Sequence, residues 1–190
     1  METLLGLAIG MGLSAACGFR VFVPLLGLSL AAMTGHLNLS SGFEWIGSWP
    51  ALVAFGTATI FEIGAYYIPL LDHLMDTLTT PAAVVAGTIM TASLVTDLSP
   101  FLKWTLALIA GGGVAGLVQT GSVFLRGAST AATGGFGNFL VSTGEIFGSI
   151  LTTLLALILP CLRRSGYAQA GPSFLRRDHP DPANRISNCN

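Results

Sequence analysis

The sequence predicts an all-α, polytopic transmembrane helix bundle, and three features carry that expectation. Hydrophobic residues make up 52% of the 190 positions and charged residues only 9%, where a soluble domain carries about a quarter charged. The apolar residues gather into runs at 4–32, 50–71, 104–125 and 139–162, and a helix needs roughly 20 such residues to cross about 30 Å of hydrocarbon. The basic residues lie largely elsewhere: residues 1–160 hold three, Arg20, Lys103 and Arg126, and the last thirty hold the other five.

A shorter stretch at 82–96 reaches only about 22 Å at the rise of a helix. It reads as a short crossing or a re-entrant piece and brings the expected total to about five crossings. Pro50 and Pro81 suit first helical turns, and Trp45, Trp49 and Trp104 suit an interfacial aromatic belt. Lys103 and the arginines at 163, 164, 176 and 177 mark the cytoplasmic side, which puts the acidic segment at Asp72 and Asp76 and the glycine-rich loop 127–138 outside. The membrane domain is therefore read as 1–162. Residues 163–190 form a polar cytoplasmic tail, with prolines at 172, 180 and 182, where disorder is expected. Residues 13–18 look like a lipoprotein cleavage site before Cys17, but Glu2 and the absence of a basic start indicate that the first helix is retained.

Small residues recur four apart at Gly6, Gly10, Ser14 and Gly18, and again at Gly112, Gly116 and Thr120. Such faces allow helices to approach closely and could build a homodimer. The two sets superpose at one offset that also aligns Arg20 with Arg126, and each half contains a Glu-Ile pair, at Glu62 and Glu145. This is read as a weak internal repeat, inverted if the segment 82–96 crosses.

Arg20 interrupts an apolar run, where a cation facing lipid costs at least about 2.5–3.5 kcal/mol. Pro24, four residues on, cannot donate to the carbonyl of Arg20. A broken helix carrying an arginine at membrane depth suggests an anion site, the plainer reading being an ion pair with Glu62 or Glu145. Arg126 opens a stretch of small and hydroxylated residues in which Ser129, Thr130, Thr133 and Asn138 could ring an oxyanion. Glu62 and Glu145, with Tyr66 one turn beyond Glu62, are candidates for proton coupling or charge compensation. Asp72 and Asp76, beside His73, share one helical face and could hold a divalent cation. The scattered Cys17, Cys161 and Cys189 show no zinc or disulfide spacing, and a net charge of −1 with no basic stripe speaks against nucleic acid.

Gly18-Phe-Arg20-Val-Phe-Val-Pro24, Tyr66-Tyr-Ile-Pro69, Asp72 with Asp76, Thr80-Pro-Ala-Ala-Val-Val-Ala-Gly87 and Thr133-Gly-Gly-Phe-Gly-Asn138 together resemble the bacterial membrane family known as domain of unknown function 4126, over roughly residues 4–160. Gly18, Arg20, Phe22, Val23 and Pro24 are also similar to a segment of DedA-type membrane proteins. That resemblance implies a re-entrant element whose arginine meets phosphate on a lipid carrier.

The expected function is a small membrane carrier, not an enzyme, for an anionic substrate of a class that includes lipid phosphates, working among membrane lipids of a bacterial inner membrane without a cofactor. Two rivals stand beside it: a structural or partner-binding membrane protein, and a metal-dependent intramembrane enzyme using Asp72 and Asp76.

Overall fold

The computed structural model describes residues 2–96 and 98–169, and among these it is built from helices, with no strand. They are α1 (Glu2–Phe19), α2 (Phe22–Met33), α3 (Trp49–Ala65), α4 (Pro69–Leu94), α5 (Pro100–Thr133) and α6 (Asn138–Gln169). A 3₁₀ turn, Glu44–Gly47, precedes α3, and α5 contains a π-helical segment at Ala107–Gly112.

Proline chemistry sets several boundaries. Pro24 has no N–H and crowds the carbonyl four residues back, so the first apolar run is cut at Arg20 and Val21, and Pro24 falls in the first turn of α2. Pro69 pushes Ile68 to an extended backbone, with φ −105° and ψ 110°, and this ends the second run at the turn between α3 and α4. Pro50 does sit in the first turn of α3, capped by the Ser48 hydroxyl. Pro81 does not begin a helix but lies inside α4. The segment 82–96 is accordingly no separate crossing; 82–94 is the second half of one 26-residue helix, and the chain leaves it at Val95.

Side-chain contacts fix the helix directions. Along α4, Leu94, Thr91 and Gly87 face Gly6, Gly10 and Ser14 of α1 in turn. On its other side Gly87, Thr79 and Asp76 face Gly111, Gln119 and Arg126 of α5. Both α1 and α5 therefore run antiparallel to α4 and parallel to each other. This overturns the inverted repeat, since the two segments that align in sequence point the same way.

The chain then turns back on itself. Gly12 of α1 faces Ala156 of α6 and the Ser149 hydroxyl of α6 donates to the Ala16 carbonyl at 3.1 Å, while Gly27 of α2 faces Thr153. Beyond α2 the amide of Ser40 donates to the Ser93 carbonyl at 2.7 Å, back at the end where α1 began. So α1 and α2 form a helical hairpin with Arg20 and Val21 at its tip.

Helices 74–94, 100–133 and 138–158 are long and apolar enough to span a bilayer. Phe101, Leu117, Phe124 and Phe147 point outward from them, each at least 70% exposed, an apolar surface suited to lipid rather than water. Trp45, Trp49 and Trp104 are also exposed, and they cluster at the end holding Lys103, which donates to Ser40 Oγ and lies over the Phe43 ring. The chain is a membrane protein of the helical-bundle class.

The glycine faces are spent within the chain. A β-carbon on Gly87 would lie 2.6 Å from Ala115 Cβ and 2.7 Å from the Gly111 carbonyl oxygen, whereas one on Gly113 would meet nothing within 4 Å. Gly6, Gly10, Gly18 and Gly112 likewise pack against helices of the same chain. Overpacking such a contact costs about 1–3 kcal/mol. Gly87→Val is therefore expected to lower the thermal unfolding midpoint of the detergent-solubilised protein markedly, and Gly113→Ala to leave it unchanged or slightly higher.

Candidate functional site

Four of the six helices, α3 to α6, together with the hairpin tip, send polar side chains to one level of the bundle. Arg126 lies seven residues before the end of α5 and Glu145 seven after the start of α6, so the cluster sits about 10 Å below the turn that joins them. At its centre is Tyr66, at the C-terminal end of α3. The Cζ atom of Arg20 lies 3.8 Å from the centre of the Tyr66 ring, and that of Arg126 lies 4.1 Å from it. The Tyr66 hydroxyl is 2.9 Å from Thr79 Oγ1, which accepts from Gln119 Nε2 at 3.0 Å and itself donates to the Met75 carbonyl.

Arg126 is fully engaged. Its Nη1 donates to Asp76, and its Nε and Nη2 to the two oxygens of Glu145. Glu145 Oε1 also accepts from the Ser122 hydroxyl, and Arg20 Nη2 lies 3.3 Å from Oε2. A carboxylate offers about four lone-pair sites, so these four donors fill Glu145.

Arg20 is held differently. It is 1% exposed, and its Nη2 donates to the Ser142 carbonyl at 3.1 Å, but Nε and Nη1 have no hydrogen-bond partner. The Ser142 hydroxyl beside it is likewise buried and unpartnered. Its share of Glu145 is the longest of the four contacts. A buried donor left unpaired costs about 1–3 kcal/mol, more when charged, so this guanidinium is the least satisfied group of the cluster.

Of the two partners that the plainer sequence reading offered Arg20, Glu145 is the one in contact, at 3.3 Å, and Glu62 is bonded elsewhere. Its Oε1 accepts from the Val21 amide at 2.7 Å and its Oε2 from the Phe22 amide at 3.1 Å. These are the backbone donors that the helix break exposes at the start of α2, and a carboxylate there is also favoured by the helix dipole.

The loop read as an oxyanion ring is not a loop for most of its length. α5 continues through Thr133 and ends on Gly134, whose φ of 64° is a left-handed cap that glycine adopts freely. Thr130 bonds Asn138 at 3.0 Å, Thr133 accepts from the Gly137 amide at 2.8 Å and donates to the Ser129 carbonyl, and Ser129 faces Gly137. The described bonds of these four residues build the helix end and the turn, rather than a ring around Arg126. Asp76 is spent on Arg126, and the Asp72 and His73 side chains lie outside the described residues. No group of three His, Cys, Asp or Glu residues with metal-site geometry occurs among the described residues.

Sequence reasoning missed Thr79, Gln119, Ser122 and Ser142. Ser122 and Gln119 precede Arg126 by four and seven residues and so share its helix face, and Ser142 precedes Glu145 by three. Polar residues at that spacing around a buried charge were the available signal.

A family profile described as "Domain of unknown function (DUF4126)" matches residues 7–167. The chain belongs to this family. The DUF4126 match takes in every residue of the cluster, from Arg20 to Glu145. No curated protein and no solved structure matches the chain.

Removing one partner of a buried ion pair costs about 3–5 kcal/mol. Glu145→Ala, which strips both guanidinium ions of a shared carboxylate, is expected to lower the unfolding midpoint sharply. Asp76→Asn should cost less, because Asp76 is 12% exposed and Arg126 keeps Glu145.

Proposed function

We propose that the chain is a small carrier in the bacterial inner membrane for an anionic, phosphate-bearing substrate, with Arg20 as the group that meets the anion. One observation carries this reading: Arg20 is buried with Nε and Nη1 unpartnered, beside an unpartnered Ser142 hydroxyl. An oxyanion is the ligand whose chemistry completes that set of donors. In this reading Arg126 organises the cluster, and the buried carboxylates supply charge compensation or proton coupling.

The α1–α2 hairpin enters and leaves at the same end of the bundle, and on this proposal it is a re-entrant element that carries Arg20 into the membrane. Irregular backbone at such depth is tolerated where it lines a protein-enclosed or wet cavity. Lys103 and the end of α6 that leads to Arg163 and Arg164 share the hairpin's open end, which the positive-inside rule assigns to the cytoplasm. The C-terminus then lies inside, and the turns at 66–68 and 134–137 lie outside.

A structural role for the whole cluster is the second reading, and it is favoured by the saturated bonding of Arg126 and Glu145. Arg20→Met separates the two. Glu145 keeps Arg126 in this variant, and a well-packed apolar replacement of a buried charge can leave stability unchanged. Reconstituted liposomes would be assayed in two arms, uptake of radiolabelled inorganic phosphate and flipping of a fluorescent short-chain phosphatidate. The carrier reading predicts protein-dependent movement in one arm, lost in an Arg20→Met protein that unfolds at the native midpoint. No movement in either arm, or movement that Arg20→Met leaves intact, contradicts it.

A further inference from the structure

The two buried glutamates do different work. Glu145 accepts from Ser122 and from Arg126 twice, with Arg20 at 3.3 Å. A proton placed there would take the shared carboxylate from two buried guanidinium ions at once. Glu62 accepts only from two neutral backbone amides, at the one place where the helix is broken. A proton there leaves every described guanidinium–carboxylate contact intact. It removes one of the two backbone bonds instead, because a protonated carboxyl keeps a single good acceptor and presents an O–H to the second amide.

We propose that Glu62 is the proton-coupling residue, a latch that ties down the hairpin tip while ionised and releases Val21 and Phe22 when protonated, opening the surroundings of Arg20 to an oxyanion. This deepens the carrier reading and rests on it for the anion, but the latch itself is a property of the free protein.

The charged and titratable groups that face Glu62 agree with this division. Cys17 of α1, Arg20 of the tip and Arg126 of α5 act on it through space, with Tyr66 following on its own helix. Asp76 of α4 and Glu145 of α6 are turned to the guanidinium of Arg126. With all five groups ionised, Arg20, Arg126, Glu62, Asp76 and Glu145 carry a formal charge of −1. A proton on Glu62 brings that to zero, and a monoanion at Arg20 restores it. One proton and one monoanion therefore enter together at no net change in the charge of the core, which in a low-dielectric interior is the inexpensive way to admit an ion.

Cys17 is a native reporter of the tip. It is fully buried, with its sulfur 3.9 Å from the Val21 carbonyl oxygen. In the full chain carrying Cys161→Ser and Cys189→Ser, the rate of Cys17 modification by N-ethylmaleimide would be measured from pH 8 to pH 5. Each rate is divided by that of the smaller reagent methyl methanethiosulfonate on the same cysteine at the same pH. Both reagents draw on the same Cys17 thiolate, whose population also depends on the charge of Glu62, so the ratio changes only with the opening around the thiol.

The expected result is a ratio that rises about ten-fold as the pH falls, the size that loss of one hydrogen bond to a charged group implies. Glu62→Gln, which fixes the neutral form, should give the high ratio at every pH. A flat ratio in the native sequence overturns the proposal whether or not Glu62→Gln folds, and so does a Glu62→Gln profile that still rises with acid. Because no substrate is present, a failed latch is read separately from a failed carrier: transport that depends on Arg20 alongside a flat Cys17 ratio would leave the carrier and remove the latch.

Discussion

A guanidinium ion inside an apolar bundle has to be surrounded by acceptors, and the arrangement of this chain follows from the need to surround two of them while Glu62 is committed to the backbone. Arg126 takes Asp76 and the better part of Glu145. Arg20 is left with the far edge of Glu145, one carbonyl and the face of Tyr66. Helix α3 must end where it does for Tyr66 to reach both arginines. α4, α5 and α6 must lie in register for Asp76, Arg126 and Glu145 to meet. The close glycine contacts of α1 and α5 on α4 bring the backbones near enough for that register.

The helix break and the charge cluster are one construction. Pro24 forces the break, the break exposes the amides of Val21 and Phe22, and Glu62 accepts from both. A third carboxylate in the core is thereby withdrawn from the arginines and given to the backbone. This is why Arg20 remains under-satisfied although the core holds more acidic groups than basic ones. The same economy separates an ion-paired side, around Arg126, from a side near the tip that is held by neutral donors.

Composition and run length were enough to read the helical membrane class, because the solvent of a membrane protein is written in its hydropathy. Arg20, Glu62, Tyr66, Arg126 and Glu145 stood out for the same reason, being polar where neighbours are not. The helix count was less legible. Pro24 and Pro69 cut continuous apolar runs into antiparallel pairs while Pro81 was absorbed into α4, and hydropathy is the same on either side of a reversal. Partner choice was not legible either, since nothing local distinguishes a glutamate that caps a helix in another segment from one that meets an arginine. The small residues after Arg126 misled because a glycine-rich tract reads as loop, yet only Gly134 and Gly135 adopt a positive φ there and the helix holds up to Thr133.

The account stands on an asymmetry between the two arginines, and a pair of double-mutant cycles on unfolding free energy in detergent tests it most directly. Neighbouring groups that act together show coupling of about 0.5–3 kcal/mol. The geometry predicts strong coupling between Arg126 and Glu145, near the top of that range, and coupling between Arg20 and Glu145 near its bottom. Equal coupling in the two cycles would mean that Arg20 is bound into the fold as firmly as Arg126, and the claim that it is held open for an anion would be contradicted.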